Sequence, residues 1–193
     1  MTIHFINGFL AINFLGVIVN LLRNSLLLFI TIFVYWIVLT TANAQNENRF
    51  QQVTLSPSYI TINQTEPFSI AMVYSVTTYD NTLLGLGIRI HYNSSCLQFI
   101  KAENYSENLF RNIAIQDDDQ NTDNDTSTDR FILIAWFEWN SRWPGKQLPY
   151  ILGKIYFQAI ESLKPQKTPI HISFTAHHPG YQVKGISTLI DIK

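Results

Sequence analysis

Residues 117–125 read Asp-Asp-Asp-Gln-Asn-Thr-Asp-Asn-Asp, which puts an oxygen ligand at every second position. Calcium takes six to eight hard oxygen ligands, and alternate residues of a curled loop can aim carboxylates at one point. Asp117, Asp119, Asn121, Asp123 and Asp125 form such a set, and Asp129 stands where it can close it. The spacing starts like an EF-hand, yet Thr122 occupies the glycine position and Thr128 the position of the bidentate glutamate, so an EF-hand is not expected. Two readings stand. One is a weakly held structural calcium that pins the loop outside the cell; the other is a solvated acidic hairpin loop.

A second segment, Trp136-Phe137-Glu138-Trp139-Asn140-Ser141-Arg142-Trp143-Pro144, is the densest run of aromatic residues. In an extended chain Trp139 shares a face with Phe137, while Trp136 and Glu138 point the other way. Tryptophans on a sheet rim can stack on sugar rings or anchor a protein interface. Trp139 and Trp143 would supply the rings, and Glu138, Asn140 and Arg142 the hydrogen bonds. Trp143, in the turn, is expected to be the most exposed. The competing reading places these rings in the core or over its end.

Other reactive residues are sparse. His177 and His178 are adjacent and would project oppositely, so they do not make a metal site, and His91 and His171 alternate with apolar residues and belong on outer faces. Glu138 and Glu66 could pair for glycoside cleavage, but no spacing of Ser, His and Asp or of Cys and His suggests catalysis, and the chain reads as a non-enzyme. Cys96 is the single cysteine, so no internal disulfide can form, and a small buried thiol is expected. Asn63, Asn93, Asn104 and Asn124 stand in N-x-Ser/Thr sequons.

The elements that must position these residues follow an unusual leader. Residues 1–44 carry one charged side chain, Arg23, then a run of apolar residues over 26–39, and end in Ala42-Asn43-Ala44. A cationic flank, an apolar stretch and small residues at the −3 and −1 positions make a signal that signal peptidase can cut. Residues 3–22 are also apolar, so an uncleaved signal-anchor through residues 3–39 is the other reading, as is a true start downstream of Met1. All of these place the rest of the chain outside the cytoplasm, secreted or at the cell-envelope exterior. Residues 45–52 are a polar lead-in, and residues 53–193 are of single-domain size. Twelve basic residues face fourteen acidic ones beyond residue 44, which argues against nucleic acid as partner.

Strand periodicity runs through that part. Leu84, Leu86, Ile88 and Ile90 alternate with Gly85, Gly87, Arg89 and His91, and residues 151–159 and 170–175 repeat the pattern. Residues 131–137 are apolar on both faces, as expected for a strand in mid-sheet or under a cover. Residues 106–115 alone suggest a helical turn. Turn signals at Ser56-Pro57, Asp80-Asn81, Asn93-Ser94, Pro144-Gly145 and Pro179-Gly180 separate short strands, which predicts an all-β sandwich.

The order of segments, with Val53-Thr54-Leu55-Ser56-Pro57, Ile60-Thr61-Ile62, residues 68–73, residues 84–92, Cys96-Leu97-Gln98-Phe99 and Gly153-Lys154-Ile155-Tyr156-Phe157, resembles a cohesin-type domain. That resemblance implies a single jelly-roll β-sandwich of about nine strands, related in fold to the family 3 cellulose-binding modules, across residues 51–193. Gln64-Thr65-Glu66 replaces the Gly-Asp usual in such domains, and Tyr92-Asn93-Ser94 the usual Tyr-Asp-Pro. The resemblance implies a non-catalytic module for protein–protein recognition or extracellular assembly, with a dockerin-like or surface protein as partner. The alternative is a carbohydrate-binding module that takes polysaccharide.

Overall fold

The computed structural model describes residues 49–107, 109–161 and 164–193. The expected signal or anchor, and residues 45–48 of the lead-in, lie outside the described residues. Among the described residues no helix is long and apolar enough to cross a membrane.

Thirteen strands follow in order among the described residues: β1 (Phe50–Ser56), β2 (Tyr59–Ile62), β3 (Pro67–Val76), β4 (Thr82–Leu83), β5 (Gly85–Tyr92), β6 (Leu97–Asn104), β7 (Leu109–Asp117), β8 (Arg130–Phe137), β9 (Trp143–Pro144), β10 (Tyr150–Ala159), β11 (Gln166–Ala176), β12 (Gln182–Ile186) and β13 (Thr188–Ile192). They form a five-stranded sheet in the order β12-β1-β3-β10-β6, a six-stranded sheet in the order β2-β13-β11-β5-β8-β7 and a two-stranded ribbon, β4-β9. The count exceeds the expected nine partly because two long segments change sheets. The chain leaves the first sheet after Ser56 and enters the second at Tyr59, and it crosses again at Ser187 between β12 and β13. Such corners let two sheets share strands and close a sandwich. The parallel pairs β1 with β12 and β13 with β2 lie beside these corners.

Period-two alternation sends one side of each strand inward. Val53 and Leu55 of β1, Ile70 and Met72 of β3 and Ile155 and Phe157 of β10 meet Ile88 and Ile90 of β5, Ile132 and Ile134 of β8 and Ile190 of β13 in one buried cluster. Each fully buried side chain of this kind contributes about 1.5–3 kcal/mol. Cys96 is free and buried, so no cross-link supplements that core.

Aromatic rings fill its two ends. Phe157 packs against Tyr92 at 5.2 Å and Phe68 at 5.9 Å between centroids. At the other end Trp143 lies 4.6 Å from Tyr74 and 6.1 Å from Trp136. Gln51, wholly buried, joins the sheets at this end: its Nε2 donates to Tyr74 Oη and the Gly85 carbonyl, and its Oε1 accepts the His178 N–H. Buried amides are tolerated when satisfied in this way.

Two expectations need correction. A helical turn was expected over residues 106–115, but residues 109–117 form edge strand β7, because β8 has a second side to pair and β7 meets it from Leu109↔Trp136 to Asp117↔Arg130. Ile113 packs against the core from that strand. Trp143 is not exposed; it is 1% accessible and plugs the sandwich end. Replacing it should leave a large cavity. Trp143→Ala is expected to lower stability by about 3–5 kcal/mol, read by urea denaturation as a shifted midpoint at unchanged slope.

Candidate functional site

The outer face of the six-stranded sheet carries His91 and His171 and is bordered by both segments singled out by sequence. Gly87, Arg89 and His91 of β5, Phe131, Leu133, Ala135 and Phe137 of β8, and His171, Ser173 and Thr175 of β11 share it, since β5 pairs with β11 and β8 in register. Leu133 on this face is only 7% accessible, as is Phe131. The two-faced apolarity of β8 is thus real, and its outer side divides into a covered half and an open half.

The loop between β7 and β8 covers the first half by folding back onto the sheet. His91 is completely buried beneath it. Its Nδ1 lies 2.8 Å from Asp118 Oδ2 and 3.8 Å from Asp123 Oδ2, and its Nε2 lies 2.7 Å from Ser173 Oγ. Asp118 also accepts from the Thr122 N–H and hydroxyl, and Asp123 accepts from the Thr128 hydroxyl. A second imidazole, His171, bridges Asp125 Oδ2 at 2.8 Å and Ser187 Oγ at 2.9 Å. Burial pushes the His91 imidazole below its ordinary pKa, against the upward pull of Asp123 and Asp118. Burial also works to raise the Asp118 carboxyl, but Thr122 and His91 outweigh it and leave it low.

The expected calcium ligands do not converge. Asp117 pairs with Arg130, Asp125 with His171 and Asp129 with Ser94, while Asp123 turns toward His91. Among the described residues, the three metal-type ligands that come within 4.8 Å of one another are His91, Asp118 and Asp123. Asp118 escaped the sequence reading because period-two counting skips it, although it is the carboxylate that the loop buries. Asn121 takes a left-handed φ of 48° and its Oδ1 is buried without a hydrogen-bond partner. Asp119 is exposed.

Ser173, His91 and Asp118 follow the atom order of an acyl-transfer triad, hydroxyl to Nε2 and Nδ1 to carboxylate. The chemistry does not follow. The imidazole is fully buried, and Ser173 sits in mid-strand on a sheet face rather than on a turn that would project its hydroxyl toward substrate. The relay is a fastening between sheet and loop.

The open half is a shallow apolar depression of about 490 Å³, bordered by Gly87, Leu133, Ala135, Phe137, Trp139 and Thr175. Gly87 leaves its floor at backbone level, and a Cβ there would collide with the Thr175 hydroxyl. Trp139 stands over the rim at 82% exposure, held by an edge-on contact with Phe137 at 4.5 Å. Glu138 is not free for a ligand. Its Oε1 accepts the Asn140 N–H and its Oε2 the Arg142 N–H at 2.7 Å, which shapes the turn and holds its carboxyl below the ordinary range. Of the five aromatic-segment residues singled out by sequence, Trp139, Asn140 and Arg142 are exposed, Glu138 braces them and Trp143 is internal.

The loop's attachment to His171 has a pH signature. Ser127, through its side chain and amide, and then His171 hold the Asp125 carboxyl down at about 2. A carboxyl depressed on folding stabilises the native state above its unfolded pKa, and that contribution disappears as pH falls through the folded value. The melting-temperature gap between the native chain and Asp125→Asn should therefore be constant near neutrality and narrow between about pH 4 and about pH 2. Calorimetric melting across that range measures it.

No protein-family model matches the chain, and no curated protein matches it. Solved structures do. A type I cohesin in complex with a dockerin from Clostridium thermocellum aligns at 12% identity with a TM-score of 0.55, covering 75% of this chain and 99% of that one. The sixth cohesin of scaffoldin B from Acetivibrio cellulolyticus, in complex with a Cel5 dockerin, aligns at 11% identity and TM-score 0.52, covering 74% and 99%. A cohesin from Clostridium acetobutylicum aligns at 11% and 0.52, covering 77% and 92%. At such identities the likeness speaks for architecture: the sandwich described here is a cohesin-type fold.

Proposed function

We propose that this chain is a non-catalytic recognition module, acting outside the cytoplasm, whose open outer face receives a protein partner of the dockerin kind. The observation that carries the reading is Trp139, 82% exposed beside an apolar depression on the outer face of the six-stranded sheet. An exposed tryptophan over a glycine-floored groove has the form of an interface anchor, since a few buried aromatics dominate binding energy. The cohesins of like fold from Clostridium thermocellum and Acetivibrio cellulolyticus were solved with dockerins bound, and the leader over residues 1–44 supports export. A sugar platform finds no such support. Trp143 is internal, and Phe137 and Trp139 meet at 89° rather than lying side by side for a glycan to stack across both.

Binding of the isolated domain to a panel of dockerin modules, measured by calorimetry, tests the reading. At least one dockerin is expected to bind. Trp139→Ala should then cost at least about 2 kcal/mol, roughly thirtyfold in Kd, and Ala135→Asp should abolish binding while the melting temperature holds. A folded domain that binds none of the dockerins, or binds one regardless of both substitutions, would overturn it. Retention on insoluble polysaccharide would instead favour the carbohydrate alternative.

A further inference from the structure

We propose that His91, Asp118 and Asp123 form a divalent metal site, selective for Mn²⁺ or Zn²⁺ over Ca²⁺, that fastens the 118–129 loop to the sheet. The inference rests on the convergence of three buried side chains and not on the acidity of the loop. His91, Asp118 and Asp123 have side-chain accessibilities of 0%, 1% and 3%, and one ligand atom from each lies within 4.8 Å of the others. Two carboxylates so placed share a single imidazole, so the cluster carries excess negative charge away from water. A cation offsets that cost directly.

The surrounding contacts are those of an oriented site. Metal-bound imidazoles characteristically donate their other ring N–H to a fixed acceptor. With Nδ1 facing the carboxylates, Nε2–H is left to donate to Ser173 Oγ at 2.7 Å. Thr122 holds Asp118 through its amide and hydroxyl, and the Thr128 hydroxyl and Asp125 N–H hold Asp123. Asn121, in the stretch between the two aspartates, keeps a buried Oδ1 with no partner. A polar cavity of about 270 Å³, lined by Asp118, Asp119, Gln120, Thr122, Arg89 and Phe131, lies against the Asp118 side of the cluster. The 2.8 Å contact between His91 Nδ1 and Asp118 must open by a few tenths of an ångström as the ion replaces the shared proton.

Donor type decides the ion. One imidazole and two carboxylates suit Mn²⁺ and Zn²⁺, whereas calcium sites use oxygen ligands throughout. Arg89 lines the same cavity and opposes a cation, but Asp117 and Asp119 also line it, so the local balance stays negative.

The test uses residues 48–193, which form a compact unit by themselves with their own core. Chelator-treated protein is titrated calorimetrically with MnCl₂, ZnCl₂ and CaCl₂ separately. One submillimolar site per chain is expected for Mn²⁺ or Zn²⁺, with a raised melting temperature and a shift of the His91 Nδ1 resonance on adding Zn²⁺. Asp123→Asn keeps the size of the side chain and should weaken binding at least tenfold, and Asp118→Asn should do the same. If Asp118→Asn fails to fold, Asp123→Asn decides alone. Absence of a one-to-one site for either ion, binding unchanged in Asp123→Asn, or binding by calcium alone would overturn the proposal. Because dockerin binding is measured at Trp139, failure here leaves that reading standing, and the reverse also holds.

Discussion

Strand β8 is apolar on both faces, and the outer architecture of this sandwich answers to that fact. Ile132, Ile134 and Trp136 belong to the core, while Phe131 and Leu133 face away from it and are still nearly buried. A sheet face of this kind cannot stay wholly in water without losing the free energy of burying those rings and methyls. The chain covers one half with the acidic loop that leads into β8. A loop dominated by aspartates is poor apolar cover, so it is held by paired polar contacts in place of packing. His91 and His171 rise from the sheet to meet Asp118 and Asp125, and Arg89 lies 5.2 Å over the Phe131 ring.

The uncovered half follows from the same strands. Gly85 and Gly87 fall on the outward side of β5 at the end away from the loop, where bulkier residues would have filled the face. Beyond them the chain turns at residues 138–142 around the Glu138 carboxylate, which lifts Trp139 over the edge and drives Trp143 inward. One carboxylate thus sorts two tryptophans into opposite places, one anchoring the sandwich end against Tyr74 and the other exposed over the apolar depression.

Much of this was legible in sequence because it depends on local alternation. The inward sets of β5 and β11 and the outward direction of His91 and His171 follow from period two. In β10 the alternation holds from Gly153 onward, but the bulge at its start turns Ile151 outward and buries Leu152. In β8, apolar on both faces, alternation alone does not choose the inward side. The pairing of Trp139 with Phe137 follows in the same way. What could not be read depends on partners distant in the chain. Asp118 and His91 are 27 residues apart and His91 and Ser173 are 82 apart, and no spacing rule joins them. Alternation also misled within the acidic loop, because a loop with positive φ at Asn121 and Asn124 does not keep a strand's period. Trp143 was misplaced for a related reason: a ring in a turn is expected outside unless the turn folds over the core.

Arg89 links the two halves of the face. It borders both the acidic cavity and the apolar depression, and its Nε is buried without a hydrogen-bond partner. An unsatisfied guanidinium nitrogen is costly, so it persists where other contacts hold the side chain, here the Phe131 ring and the carboxylates that line the cavity. The depression therefore has this cation at its inner end and Trp139 at its outer end. The open face combines a fixed positive charge with an exposed aromatic ring, spaced along β5 and β8. The loop matters to that face because its aspartates set the field in which Arg89 is read.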